Sequence, residues 1–173
     1  MPVLNPRNVL IPNSWEGIDV GYLGAAQIDP DGNLKTTVIG NYDTPHTRLP
    51  GSEGACEILR NAKKSVIMVE FTEPKFKSRV DFITSSRVEN QVRGDDTGKE
   101  EVIVTNKCAI KIKEKGRAEI SAVYRDVKFE EIKILSEKIG IVLLENINVI
   151  DEPTENEMNL IELIDKTVGQ SER

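Results

Sequence analysis

The chain has 173 residues and carries 23 Lys and Arg against 29 Asp and Glu, a net charge of −6. With no basic face or Lys/Arg cluster, nucleic acid is excluded as an expected partner, and no apolar run approaches the ~18 residues that cross a bilayer. Two cysteines, Cys56 and Cys108, stand in no metal or redox spacing, and His46 is the single histidine; a metal site is not expected, and a reduced, cytoplasmic setting is.

At this length one domain is expected, able to bury roughly 70% of its unfolded surface. Residues 1–16 read as an extended N-terminal arm. Pro2, Pro6 and Pro12 exclude a helix there, while Val9, Leu10, Ile11 and Trp15 need cover. Such an arm either lies on its own domain or clasps a partner. It lacks the continuous apolar core of a signal peptide. Residues 17–173 make up the single domain.

Gly17 to Ile39 reads as two strands, VGYLGAAQ and Leu34–Ile39, joined by the turn Asp29-Pro30-Asp31-Gly32-Asn33. Asn41 to Pro50 is a loop holding His46 and Arg48. Ser52 is a natural N-cap for a helix with Ala55, Ile58, Leu59 and Ala62 on one face. Cys56 in that helix reads as core. Ser65 to Glu70 is a continuous apolar run, the pattern of a strand inside a parallel sheet. Phe71 to Ser78 is irregular, Arg79 to Thr84 reads as a strand, and Arg87 to Glu100 as a polar loop. Within that loop Asp95-Asp96 reads as a solvated turn. Glu101 to Thr105 starts a last β block. In it Cys108, Ile110 and Ile112 alternate with lysines, and Ala118, Ile120 and Ala122 with polar residues, as in an antiparallel hairpin with one wet face. Asp126 is expected to cap a helix with Phe129, Ile132, Leu135 and Ile139 inward. A short apolar stretch, Ile141 to Leu144, follows. Thr154 and Glu157 form a capping box ahead of a last helix. Together these elements predict an α/β fold: an open, largely parallel sheet flanked by helices, with an antiparallel edge hairpin.

The run GAAQIDPDGNLKTTVIGNYDTPHTRLPGSEGA resembles the family I coenzyme A transferases, nearest to the B-type subunits of the glutaconate and 3-oxoacid enzymes. The likeness continues through Lys64–Val69, Val80–Thr84 and Glu101–Thr105 and fades into the last helix. The resemblance implies a subunit, or part of one, that moves coenzyme A between an acyl-CoA and a carboxylic acid. Coenzyme A and its thioesters would be substrates, and no metal takes part. It also implies a hetero-oligomer with an A-type subunit. In such enzymes a glutamate carboxylate attacks the thioester carbonyl and expels the CoA thiolate, leaving an acyl anhydride. The thiolate then attacks the glutamyl carbonyl, giving a glutamyl-CoA thioester and the free acid, and a second acid reverses the sequence.

The chain departs from the family pattern in three places. The family's nucleophilic glutamate lies in an E-S-G or E-N-G motif well ahead of GAAQID, and no such motif stands here, so a further chain carrying that N-terminal part is an expected partner. Glu53 occupies a position that is glycine in relatives. The family's basic HEKRRF-like stretch is replaced by Phe71-Thr72-Glu73-Pro74-Lys75-Phe76. Two alternatives therefore stand beside transfer: a subunit for thioester hydrolysis or C–C cleavage with a carboxylate from a partner, and a non-catalytic binding subunit.

The candidate CoA-contacting residues are Gly24, Ala25, Gln27, Arg48, Gly51, Ser52, Glu53 and Gly54. A glycine-containing loop leading into a helix N-terminus exposes N–H donors suited to an oxyanion. Gln27 either lines a pocket or is a structural amide; His46 either meets a CoA phosphate or is a solvated loop histidine. Glu53 points to solvent, folds over the backbone donors, or serves as a substitute catalytic carboxylate.

Overall fold

Period-two alternation of apolar side chains builds one six-stranded sheet. The computed structural model describes residues 18–49, 54–86, 100–113 and 117–171. The arm of residues 1–16, Gly51, Ser52, Glu53 and the Asp95-Asp96 pair lie outside the described residues. The elements run β1 (Val20–Gly24), β2 (Gln27–Ile28), β3 (Leu34–Lys35), β4 (Val38–Gly40), β5 (Pro45–Arg48) and α1 (Ala55–Asn61). They continue with β6 (Lys64–Met68), β7 (Glu100–Val104), β8 (Cys108–Lys113), β9 (Arg117–Tyr124), α2 (Phe129–Ile139), β10 (Val142–Ile150) and α3 (Glu155–Ser171).

The strand order is β1-β6-β7-β8-β9-β10. Pairings β1–β6, β6–β7 and β9–β10 are parallel, while β7–β8 and β8–β9 are antiparallel. Only β8 runs against the others, so the sheet is largely parallel. Helices flank it, as the sequence predicts. The register aligns one apolar row across it: Leu23, Ile67, Ile103, Ile110, Ile120 and Leu143. Leu59 of α1 and Ile132 and Ile139 of α2 join this row in one buried core. α1 lies close against β1 because residue 21 is glycine: a Cβ there would sit 2.2 Å from Ile58 Cγ2.

Several expected elements change. VGYLGAAQ divides, β1 staying in the main sheet while β2 leaves to pair with β3 in a two-stranded unit. The Asp29 carboxylate organises that turn. It accepts from the backbone N–H groups of Asp31 at 3.2 Å, Asn33 at 3.0 Å and Val80 at 3.4 Å. Burial nonetheless pushes the Asp29 carboxyl above its ordinary value, with the Asn33 and Val80 hydrogen bonds opposing the shift. Leu34–Ile39 also divides, into β3 and β4, and the expected loop after it contains β5, antiparallel to β4.

Arg79–Thr84 is not a strand. Its backbone partners are a side chain and a single bridging residue rather than a ladder: Val80 N–H donates to Asp29 Oδ2, and Thr84 N–H to Leu34 O at 2.9 Å. The N-cap of α1 is Gly54, at φ 87°, not Ser52; this positive φ suits glycine. Lys128, not Asp126, is the N-cap of α2. Phe129 is exposed rather than inward, as is Cys56, whereas Cys108 is buried. The stretch after α2 becomes the nine-residue β10, which extends the sheet past the hairpin. The capping box of α3 forms as expected. Thr154 N–H donates to Glu157 Oε2 at 2.8 Å, and Glu157 N–H to Thr154 Oγ1 at 3.3 Å.

Candidate functional site

Three parallel strands, β1, β6 and β7, end side by side, and their carboxyl ends open into a cleft of about 570 Å3. Ligands of open α/β sheets settle at this end of the strands. Gly24 and Ala25 enter from β1, Met68, Val69 and Glu70 from β6, and Val104, Thr105 and Asn106 from β7, with Lys75 arriving from the irregular segment beyond. Ala25, Met68, Val69 and Val104 make apolar walls.

Local hydrogen bonds fix these walls. Val69 N–H donates to Val104 O at 3.2 Å, carrying the β6–β7 pairing into the cleft. Phe71 N–H donates to Asn106 Oδ1 at 2.8 Å, tying the chain that leaves β6 to the turn after β7. Thr105 Oγ1 accepts from Lys107 N–H at 3.0 Å and Cys108 N–H at 2.9 Å, and donates to Cys108 O at 2.7 Å. This hydroxyl shapes the β7–β8 turn. The Cys108 thiol behind it is pushed up to about 11 by burial, so it is no thiolate nucleophile near neutral pH. Lys75 is half-buried and makes no ion pair among the described residues. Gly24 faces open space, since a Cβ there would meet nothing within 4 Å.

The sequence-predicted residues separate. Gly24 and Ala25 come together at the cleft. Gln27 is buried in β2, opposite Lys35, and its amide bonds Asp81; its Oε1 has no partner among the described residues. Lys35 itself is fully buried and pairs with Asp81 at 2.7 Å. The Lys35 hydrogen bond, aided by Gln27, holds the Asp81 carboxyl below its ordinary value. Arg48 is exposed on β5, donating to Tyr42 O at 3.4 Å with its guanidinium 5.5 Å from the Tyr42 ring centre. His46 is exposed on the same strand. Gly54 caps α1. Lys75, Thr105 and Asn106 were not expected from the sequence. The position of Thr105-Asn106 directly after an apolar parallel strand was the available signal for two of them; nothing marked Lys75, which reaches the cleft from irregular chain. No group of three or more His, Cys, Asp or Glu suited to a metal occurs among the described residues.

The family model of coenzyme A transferase matches residues 16–132. The chain is 52% identical over 68 residues to the B-type subunit of the 3-oxoadipate CoA-transferase of Pseudomonas knackmussii, covering 39% of this chain and 26% of that protein. It is 33% identical over 112 residues to the B-type subunit of the glutaconate CoA-transferase of Acidaminococcus fermentans, covering 61% of this chain and 41% of that one. The crystal structure of glutaconate coenzyme A-transferase from Acidaminococcus fermentans superposes with a TM-score of 0.70 at 29% identity, over 83% of this chain and 56% of that chain. The chain thus spans less than half the length of the two curated relatives it matches.

Proposed function

Because the chain belongs to the coenzyme A transferase family, we propose that it is part of a B-type subunit that moves coenzyme A between an acyl-CoA and a carboxylic acid in a hetero-oligomer. The observation that carries this reading is the cleft at the ends of β1, β6 and β7, which lies inside the matched stretch. CoA thioesters are the substrates. Gly24 leaves room for a thioester where a side chain would fill the cleft. Lys75, a half-buried residue lining the cleft, offers a counter-charge to a phosphate or carboxylate of the substrate. The donors of residues 51–54 remain part of the proposal as the seat of the thioester oxyanion. The nucleophilic glutamate of the family reaction comes from outside the described residues.

A partner is supported by the sheet itself. Parallel sheets are covered on both faces, yet Val20, Tyr22 and Met68 stand exposed on the face opposite the core, and no described element covers them. The test is co-expression with an A-type subunit and a polypeptide carrying a B-type N-terminal half, followed by assay of CoA exchange from an acyl-CoA to acetate. Exchange is expected, and a Gln in place of the supplied glutamate abolishes it. Thioester hydrolysis with no need of acceptor acid would instead mark a hydrolase. A stable assembly that binds no CoA would mark a binding subunit. In the assembly, CoA shifts the backbone amides of Gly24–Ala25 and Val104–Asn106; shifts confined to Arg117–Arg125 would refute the cleft.

A further inference from the structure

The last helix is out of keeping with the rest of the molecule. Met158, Leu160, Ile161, Leu163 and Ile164 of α3 are each 44–61% exposed, and none joins the hydrophobic core. At about 100° per residue they spread over more than half of the helix circumference. A helix resting on its own domain needs only one apolar stripe, so α3 carries more apolar surface than the described residues cover. Its first two turns line a groove of about 600 Å3, whose apolar lining is Tyr124, Ile150, Pro153, Leu160 and Ile161. Four carboxylates rim that groove: Asp126, Asp151, Glu152 and Glu157. Its one cation among the described residues, Arg125, is already held by Asp151. Along α3 the cation Lys166 is likewise held by Glu162, at 3.3 Å.

We propose that this groove and the outer side of α3 form a docking surface for a different polypeptide, one presenting an amphipathic helix whose apolar stripe is flanked by Lys or Arg. The apolar lining supplies burial. The carboxylate rim chooses the partner, because like charges brought face to face oppose association whereas opposite charges favour and orient it. A second copy of this chain would set Asp126, Glu152 and Glu157 against acidic surface, and is disfavoured for that reason. Leu160 and Ile164, one turn apart, make a ridge of the kind that another helix accepts in its groove. The proposal does not rest on the coenzyme A reading, since it is argued from the lining of the groove and the exposure of α3 alone.

The test uses the full chain, labelled with 15N, and two synthetic probes: a Leu/Lys amphipathic helix and its Leu/Glu counterpart. The Leu/Lys probe is expected to shift amides at Tyr124–Asp126 and Ile150–Ile164 and to bind about tenfold or more tighter than the Leu/Glu probe. Reversing charge on the rim at Asp126→Lys and Glu152→Lys inverts that preference, with circular dichroism checking that α3 remains helical. A second variant, Leu160→Ser with Leu163→Ser, weakens both probes while leaving the core untouched. Equal affinity for the two probes, absence of binding, or shifts centred on Tyr22 and Met68 would overturn the proposal. So would concentration-dependent self-association that shifts α3 amides, which would make the occupant a second copy.

Discussion

The two faces of the six-stranded sheet are made from the same strands in the same register, yet they meet different surroundings. On one face Leu23, Ile67, Ile103, Ile110 and Ile120 lie in a row beneath α1 and α2, all of them buried. On the other, the neighbouring row is Tyr22, Val66, Val102, Lys111 and Glu119. That row changes character along its length. Over β1, β6 and β7 it is apolar, with Tyr22 64% exposed and Met68, one step along, 55% exposed. Over β8 and β9 it is charged. The hairpin half is therefore built to face water, whereas the parallel half, whose strand ends form the cleft, is built to be covered. Cover and cleft belong to the same three strands, so whatever completes the face also stands beside the site.

The sharpest way to break the comparison is to truncate one large side chain to alanine on each of the two faces. Ile103→Ala opens a cavity in a fully buried position and is expected to cost about 2–5 kcal/mol in urea unfolding. Tyr22→Ala is expected to stay within about 0.5 kcal/mol in the isolated chain, and to weaken association about tenfold or more in the co-expressed assembly. A comparable loss of stability in the isolated chain for both variants would mean that the faces are equally packed.

Glycines sharpen the contrast at smaller scale. Gly21→Ala drives a Cβ to 2.2 Å from Ile58 Cγ2 and is expected to cost about 1–3 kcal/mol as α1 is pushed off β1. Gly24→Ala, whose Cβ meets nothing within 4 Å, leaves the unfolding midpoint unchanged; in the assembly it lowers affinity for CoA thioester.

The β2–β3 unit tests the comparison with charge. Lys35 is fully buried and Asp81 about half exposed, so Asp81→Asn is expected to destabilise by about 1–2 kcal/mol, less than the ~3–5 kcal/mol of a pair buried on both sides. The folded Asp81 carboxyl lies below its unfolded value near 3.8. Its contribution is thus present above that value and is lost as pH falls through the folded one. Unfolding followed from pH 7 downward is expected to show an acid loss that Asp81→Asn lacks. The smallest effect belongs to the bare face: Tyr22→Ser with Met68→Ser lowers binding of a hydrophobic dye and leaves the urea midpoint in place.

Much of the local structure was legible because its causes are local. The capping box of α3 needs only Thr154 and Glu157 three residues apart, and the turn before Leu34 needs only Asp29 and its neighbours. The hairpin Cys108–Lys113 with Arg117–Tyr124 follows from strict alternation. The run GAAQID to PGSEGA carried the family and, through it, the fold class. Helix caps were less legible. Asp126 is a good capping residue by type, yet Lys128 holds that place, since the hydrogen bond Val127 N–H to Tyr124 O keeps the chain in a turn after β9.

By itself the sequence determined periods, caps, turns and kinship, all of which are set by residues close in the chain. Tertiary structure alone decided which face of each strand was covered, for a period of two defines two faces but not what lies against them. It also split VGYLGAAQ at Gly24, because β1 found its ladder with β6, some forty residues away, while Gln27 and Ile28 found theirs with β3. It denied Arg79–Thr84 a ladder, because Asp29 and Leu34 had already taken up its backbone groups. And it assembled the cleft from Gly24, Met68, Lys75 and Asn106, residues with no common motif, joined only because parallel strands place their carboxyl ends side by side.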